Sequence, residues 1–257
     1  MEAIILAGGF GTRLRSVCSD RPKPMAQIQG KPFLEHLLEY WKCQGASHFI
    51  FSVGYLHRVI INYFGKDYRG IPIDYAIENE PLGTGGGVLQ SIPYLHHPES
   101  IFLVLNGDTF FDVPLATFSH KGKVTLALYK IEENTRYHGV TLDDSFKIQN
   151  FNDINSQLIN GGCYLFDKKS LARFQQKGPL SLEKEILPIL MSEGSCYGQV
   201  FDGLFLDIGI PEDYERGQGL FLQRGQAVRA VQEPTDRGES NATLFSQIRP
   251  APKGLDF

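Results

Sequence analysis

Ala3 to Leu14 reads A-I-I-L-A-G-G-F-G-T-R-L, an apolar run cut off at once by glycines and followed by an arginine. The run from Ala3 to Ala7 has the pattern of a central strand buried on both faces. Gly8, Gly9 and Gly11 let the backbone come close to a phosphate chain, with several N–H groups free to point at it. No G-K-[ST] follows, so this is not a P-loop. Leu14 stands where the dinucleotide fingerprint needs its third glycine, which excludes a dinucleotide-dependent oxidoreductase. Shortly afterwards P-K-P-M, Pro22 to Met25, holds Lys23 between two prolines. Because proline fixes φ, this lysine is stiffly presented, a constraint that a solvated surface lysine does not need.

Outward from this loop, apolar runs alternate with helical patterns, which predicts strands covered by helices on both faces of a sheet. Phe33, Leu34, Leu37, Leu38 and Trp41 have the spacing of an amphipathic helix. His48 to Val53, Ile101 to Leu105, Val124 to Tyr129 and Leu158 to Phe166 read as strands, with a hairpin around Asp143-Asp144 and Lys147 to Phe151 returning. Leu171 to Phe174 is expected on a helix, and Gly203 to Ile208 as the last strand. Pro211 opens a helix expected to reach Phe221, with Glu212 and Asp213 at its positive end.

A chain of 257 residues with 42 % hydrophobic content suits one large α/β domain, placed at residues 1–225. Beyond about Arg224 polar residues dominate, and residues 226–257 read as a tail that is loosely packed or docks on a partner. The net charge of -4 argues against a nucleic-acid partner. Cys18, Cys43, Cys163 and Cys196 lie far apart, at neither disulfide-framework nor zinc spacing, which fits a reducing cytoplasm. Glu2 and the early stop at Gly8 do not fit a signal peptide, and no apolar stretch is long enough to span a bilayer.

G-G-F-G-T-R-L-R, then P-K-P-M and G-K-P-F (Gly30 to Phe33), resembles the signature of the sugar-1-phosphate nucleotidyltransferases, over roughly residues 1–225. The resemblance implies a three-layer α/β/α Rossmann-like fold with a mixed, mostly parallel sheet. It also implies a Mg²⁺-dependent reaction in which a sugar 1-phosphate attacks a nucleoside triphosphate and pyrophosphate leaves. It carries nucleotide binding to Leu6, Ala7, Gly8, Gly9, Gly11 and Thr12, and makes Arg13 and Lys23 the catalytic cations. In E-N-E-P-L-G-T-G-G-G, Glu78 to Gly87, it places Pro81, Gly83 and Thr84 against the nucleoside and Glu78 at the base. A carboxylate only accepts hydrogen bonds, and guanine offers N1–H and N2–H₂ side by side, so Glu78 (or its alternative, Glu80) favours GTP.

The same resemblance assigns the metal to Asp108, in L-N-G-D-T-F-F, and Asp207, in F-L-D-I-G; two hard carboxylates suffice for Mg²⁺ alongside phosphates and waters. The sugar phosphate falls to Gly139, to Asn160 in I-N-G-G, and to Glu183 and Lys184 in L-E-K-E-I-L-P. One departure stands out. Relatives carry Glu-Lys after an aromatic residue, whereas Phe151 is followed here by Asn152, Asp153 and Ile154, leaving Lys184 or Arg136 to supply the cation. Several runs look closest to the guanylyltransferases of D-glycero-α-D-manno-heptose 1-phosphate, with mannose 1-phosphate next. A uridylyl- or thymidylyltransferase, and a non-catalytic nucleotide-sugar sensor, are the alternatives. Relatives are often dimers, so a homodimer joins the expectations.

Overall fold

The computed structural model describes residues 1–14, 20–97, 101–132, 137, 139–175 and 178–232, with side chains as far as 223. β1 (Glu2–Ala7) leads through the glycine loop to a small ribbon, β2 (Gln27–Ile28) and β3 (Lys31–Pro32), and to α1 (Phe33–Cys43). β4 (His48–Val53), α2 (His57–Phe64), β5 (Asp67–Tyr68), β6 (Ile71–Ile77) and α3 (Gly83–Ser91) follow, then β7 (Ile101–Asn106) and β8 (Thr109–Phe111). The second half carries β9 (Val124–Lys130), a hairpin of β10 (Thr141–Leu142) and β11 (Ile148–Asn150), β12 (Leu158–Asp167), α4 (Lys168–Leu171) and α5 (Leu187–Ser192). It ends with β13 (Cys196–Phe201), β14 (Phe205–Asp207) and α6 (Pro211–Gln232).

Eight strands form one sheet in the order β13-β9-β12-β7-β1-β4-β6-β5. The centre, β7-β1-β4-β6, is parallel, while β12 runs antiparallel to both of its neighbours. The sheet is thus mixed and mostly parallel, as expected. Alternation along β1 sends Ala3, Ile5 and Ala7 into one core and Ile4 into the other. The first core takes Phe33, Leu34, Leu37, Leu38 and Trp41 of α1, with Ile60 of α2 and Phe221 of α6. The second takes Val88 of α3 and Leu187 and Leu190 of α5. All five α1 residues are fully buried, and each such side chain contributes about 1.5–3 kcal/mol, so this stripe anchors its layer.

Three boundaries differ from expectation. The helical turn near Leu171 starts earlier, at Lys168, because Asp167 caps it through the Lys169 N–H (3.0 Å) and Leu171 is its buried end. The strand expected at Gly203 to Ile208 narrows to β14 and leaves the main sheet to pair with β8; the sheet edge is β13 instead, whose apolar pattern Gly198 and Gln199 interrupt. The last helix passes Phe221 and continues to Gln232, into the stretch read as tail, where Gln, Ala and Arg sustain a helix without an apolar stripe. Residues 233–257 lie outside the described residues, as do Cys18, Arg136 and His138. Cys43, Cys163 and Cys196 are not in disulfides, and burial pushes the last two thiols up, away from reactivity.

Candidate active site

The loops at the carboxyl ends of β1, β6 and β7 converge, which is where open α/β sheets bind ligands. Two adjoining clefts share Leu6, Gly9 and Asp108. The first, of about 180 Å³, is lined by Ala7, Gly11, Thr12, Arg13, Lys23, Pro24 and Gly209. The second, of about 310 Å³, is lined by Gly8, Phe10, Glu78, Pro81, Gly83, Thr84 and Asn106. Eleven residues separate Gly11 from Lys23 in sequence, yet they pack together. Gly11 has φ +57°, and a Cβ there would stand 2.7 Å from the Lys23 Cβ. Only glycine fits both demands.

Lys23 is the electrostatic centre of the first cleft. Its Nζ donates to Asp108 Oδ2 at 2.5 Å and to Asp207 Oδ1 at 3.4 Å, and its side chain is only 10 % exposed. The two aspartates meet because β14 pairs with β8: Asp207 registers opposite Thr109, and the Ile208 N–H donates to the Asp108 carbonyl. One ammonium thus spans both carboxylates, so a compact hard cation would reach both as well. Arg13 sits exposed in a short 3₁₀ turn on the cleft wall.

In the second cleft Glu78 is held from two sides. Ser52, fully buried on β4, donates to Oε1 at 2.8 Å, and the Leu82 N–H donates to Oε2 at 3.1 Å. Each oxygen keeps a further lone pair toward the cleft. Glu80, the alternative reader, is exposed. Thr84 uses its hydroxyl inside the protein, donating to Glu183 Oε2 (2.8 Å) and accepting from the Leu182 N–H (2.9 Å). Glu183 also accepts from Ser181 (3.1 Å) and Tyr164 (3.3 Å), and the Tyr164 hydroxyl accepts from Asn160 Nδ2 at 2.7 Å. Burial, then the Glu183 charge, push the Tyr164 phenol well up, so it stays a neutral donor. Thr84 therefore ties the base side to Asn160 and Glu183.

The remaining sugar candidates stand differently. Gly139 lies beneath the segment that departs from the family pattern: a Cβ there would approach the Asp153 carbonyl oxygen to 2.1 Å, and the Asp153 N–H donates to the Gly139 carbonyl. Its place is set by packing. Lys184 is exposed, and its N–H donates to Ser181 Oγ at a π-helical turn, Leu182–Ile186. Three contributors were not singled out from sequence: Ser52, Tyr164 and Asn106. Asn106 Oδ1 is buried without a hydrogen-bond partner among the described residues, beside the second cleft. Its signal was the Asn-Gly pair directly before Asp108.

Known proteins resemble this chain in sequence and in fold. The chain is 42 % identical over 218 residues to D-glycero-alpha-D-manno-heptose 1-phosphate guanylyltransferase of Campylobacter jejuni, covering 83 % of this chain and 97 % of that one. It is 34 % identical to mannose-1-phosphate guanylyltransferase of Mycobacterium tuberculosis, over 84 % of this chain and 63 % of that one. Among solved structures, HddC from Yersinia pseudotuberculosis complexed with GMP-PN matches with a TM-score of 0.77 at 36 % identity, covering 86 % of this chain and 99 % of that chain. The nucleotidyl transferase family profile matches residues 2–223. With its glycine loop, Lys23 and Asp108 on one groove and Asp207 paired to the same lysine, the chain belongs to the nucleotidyl transferase family.

Proposed function

We propose that this protein transfers GMP from GTP to a sugar 1-phosphate, D-glycero-α-D-manno-heptose 1-phosphate being favoured, and releases pyrophosphate. The observation that carries the base assignment is Glu78, an acceptor-only group fixed by Ser52 and Leu82 at the wall of the larger cleft. Guanine presents two adjacent donors to such a group, whereas uracil and thymine present one donor flanked by oxygens. The choice of a manno-configured sugar is supported by the likeness to heptose and mannose guanylyltransferases.

The reaction needs little proton transfer, because a phosphate monoester is already anionic near neutral pH. Positioning and charge neutralisation carry it. The backbone of residues 8–12 receives the triphosphate, Arg13 binds its β,γ end, and Lys23 stands between the attacking phosphate and the α-phosphorus. Asp108 and Asp207 are the residues that would hold Mg²⁺; their hard oxygens suit it, and one cation already bridges them. When bound, that ion supplies charge neutralisation at the phosphates. Lys23, on the wall of the first cleft, is the cation that would serve the substrate phosphates. Asn160 and Glu183 meet the sugar hydroxyls, with Thr84 fixing Glu183 relative to the nucleotide side.

The test is pyrophosphate release by purified protein with Mg²⁺, across four nucleoside triphosphates and a panel of sugar 1-phosphates. Release requiring GTP and a manno-configured sugar phosphate is expected. A UTP or dTTP preference would discard the Glu78 assignment and keep the reaction class. Nucleotide binding without release from any pair would favour the sensor reading.

A further inference from the structure

Phe10 stands on the wall of the larger cleft, in the glycine loop that follows β1, and is 48 % exposed. A lone exposed phenylalanine needs no explanation in itself. This one is braced, and it sits beside a polar group already aimed at the cleft. Its ring meets that of Tyr55 with centroids 5.4 Å apart and planes tilted 45°, a separation at which aromatic pairs attract. Tyr55, two residues after β4, is itself docked on the loop. Its N–H donates to the Gly8 carbonyl at 3.4 Å, and a Cβ on neighbouring Gly54 would lie 3.1 Å from that oxygen and 3.6 Å from the Glu78 Cβ. Glu78 in turn lies against the loop backbone, since a Cβ at Gly8 would stand 2.5 Å from its Oε1. Two residues of chain span at most about 7 Å, so Phe10 is within reach of a flat group that Glu78 holds by its edge.

We propose that Phe10, braced by Tyr55, stacks on the nucleobase in the larger cleft and adds to the preference for a purine over a pyrimidine. The proposal rests on the reading of that cleft as the base site, and not on which base Glu78 selects. A base offers two kinds of surface, an edge of donors and acceptors and two π-faces. Glu78 serves the edge. Leu6 and Pro81 give the cleft wall apolar surface, and Phe10 is its aromatic member. Stacking ignores the hydrogen-bond pattern, because every base has a π-face. It grows with the area covered, and a two-ring purine covers more of a phenyl ring than a one-ring pyrimidine does. Covering the ring also takes apolar surface out of water, which adds to the attraction. Phe10 and Glu78 thus favour GTP over UTP for separate reasons, one by area and the other by donor pattern.

The experiment titrates the full chain with GTP and UTP by calorimetry, in Mg²⁺ and without sugar phosphate, so that no turnover is needed. Phe10→Ala should weaken GTP binding roughly 5- to 150-fold, the range for removing one base–aromatic stack, with a smaller loss for UTP. Phe10→Leu keeps the bulk without the π-face and should fall between wild type and Phe10→Ala. Phe10→Trp should bind GTP within about threefold of wild type, since any aromatic face can stack. Bound guanine should also quench the emission of that variant. The single native tryptophan, Trp41, is fully buried and should respond little. In turnover, Phe10→Ala should raise KM for GTP with little change in kcat, because the stack is the same in ground and transition states. Equal GTP affinity in wild type and Phe10→Ala overturns the proposal. So does an equal loss for GTP and UTP that Phe10→Trp fails to restore, which would mark a disturbed loop. A wild type that binds neither nucleotide overturns the base-site reading together with the stack. A wild type that prefers UTP, with both nucleotides weakened by Phe10→Ala and restored by Phe10→Trp, removes the Glu78 assignment and leaves the stack standing.

Discussion

Replacing Glu78 by glutamine alters one atom and tests the base assignment directly. In the structure Oε2 accepts the Leu82 N–H and Oε1 accepts the Ser52 hydroxyl. A glutamine must keep its oxygen toward Leu82, because an amide N–H₂ there would face another donor. Its N–H₂ then lies toward Ser52, whose hydroxyl can turn from donor to acceptor. The cleft now meets an acceptor beside a donor instead of two acceptors. Guanine loses one charge-assisted bond and finds a donor facing a donor. A hydrogen bond to a charged group contributes about 1.5–3 kcal/mol, so kcat/KM for GTP should fall roughly 10- to 150-fold. Uracil gains, since its N3–H and a neighbouring carbonyl match the amide. The assay is pyrophosphate release with GTP and UTP at fixed sugar phosphate. A variant that keeps GTP turnover within about threefold of wild type and gains nothing with UTP would refute the reasoning.

Other expectations can be measured on the same preparation. Arg13→Ala and Lys23→Ala should each cost about 3 kcal/mol at the transition state, roughly a hundredfold in kcat, without loss of fold by circular dichroism. Asn106→Ala, which removes a buried and unpartnered acceptor beside the cleft, should raise KM more than it lowers kcat and leave the melting temperature unchanged or higher. Leu37→Ala in the α1 stripe should destabilise the chain by about 2–5 kcal/mol in urea titrations. Burial pushes the Glu2 carboxyl up, but hydrogen bonds from His48 and the His96 and His97 N–H groups outweigh it and hold the group below its ordinary range. Its contribution is therefore complete above the ordinary glutamate pKa and is lost as pH falls through the lowered one. Wild type should lose more stability in acid than Glu2→Gln, measured by melts across that interval.

Much of the fold was legible because the local signals agree. A five-residue apolar run ended by glycines can hardly be anything but a buried strand, and the α1 stripe has one sensible partner surface. That residues 6–13 and 78–84 come together at two adjoining clefts was legible for the same reason: they sit in short contiguous stretches after strands. What the sequence concealed depends on distant pairing. Asp108 and Asp207, paired in sequence only by the family resemblance, meet because β14 leaves the main sheet for β8, an exchange no local pattern announces. Ser52 reads as an ordinary strand residue until β6 brings Glu78 beside it. Gly139 matched a family position, and in this chain it also makes room for the Asp153 segment. That steric demand depends on a fold contact between segments distant in sequence, which composition does not announce.

Lys23 joins these observations into one electrostatic account. Two carboxylates facing one cleft repel each other and gain little from water when one of them is 19 % exposed. Without a counter-ion that geometry would open. Lys23 closes it, held between Pro22 and Pro24 and backed by Gly11, which has no side chain to push it away. The stiffness read from P-K-P thus has a structural purpose before any substrate arrives: it keeps the paired aspartates preorganised. It also predicts how the charge must move. Were a divalent ion held by Asp108 and Asp207, it would supply the charge that Lys23 supplies here, and the lysine would serve an anionic triphosphate in the adjoining loop. The cation proposed for the reacting phosphates would then stand one contact away.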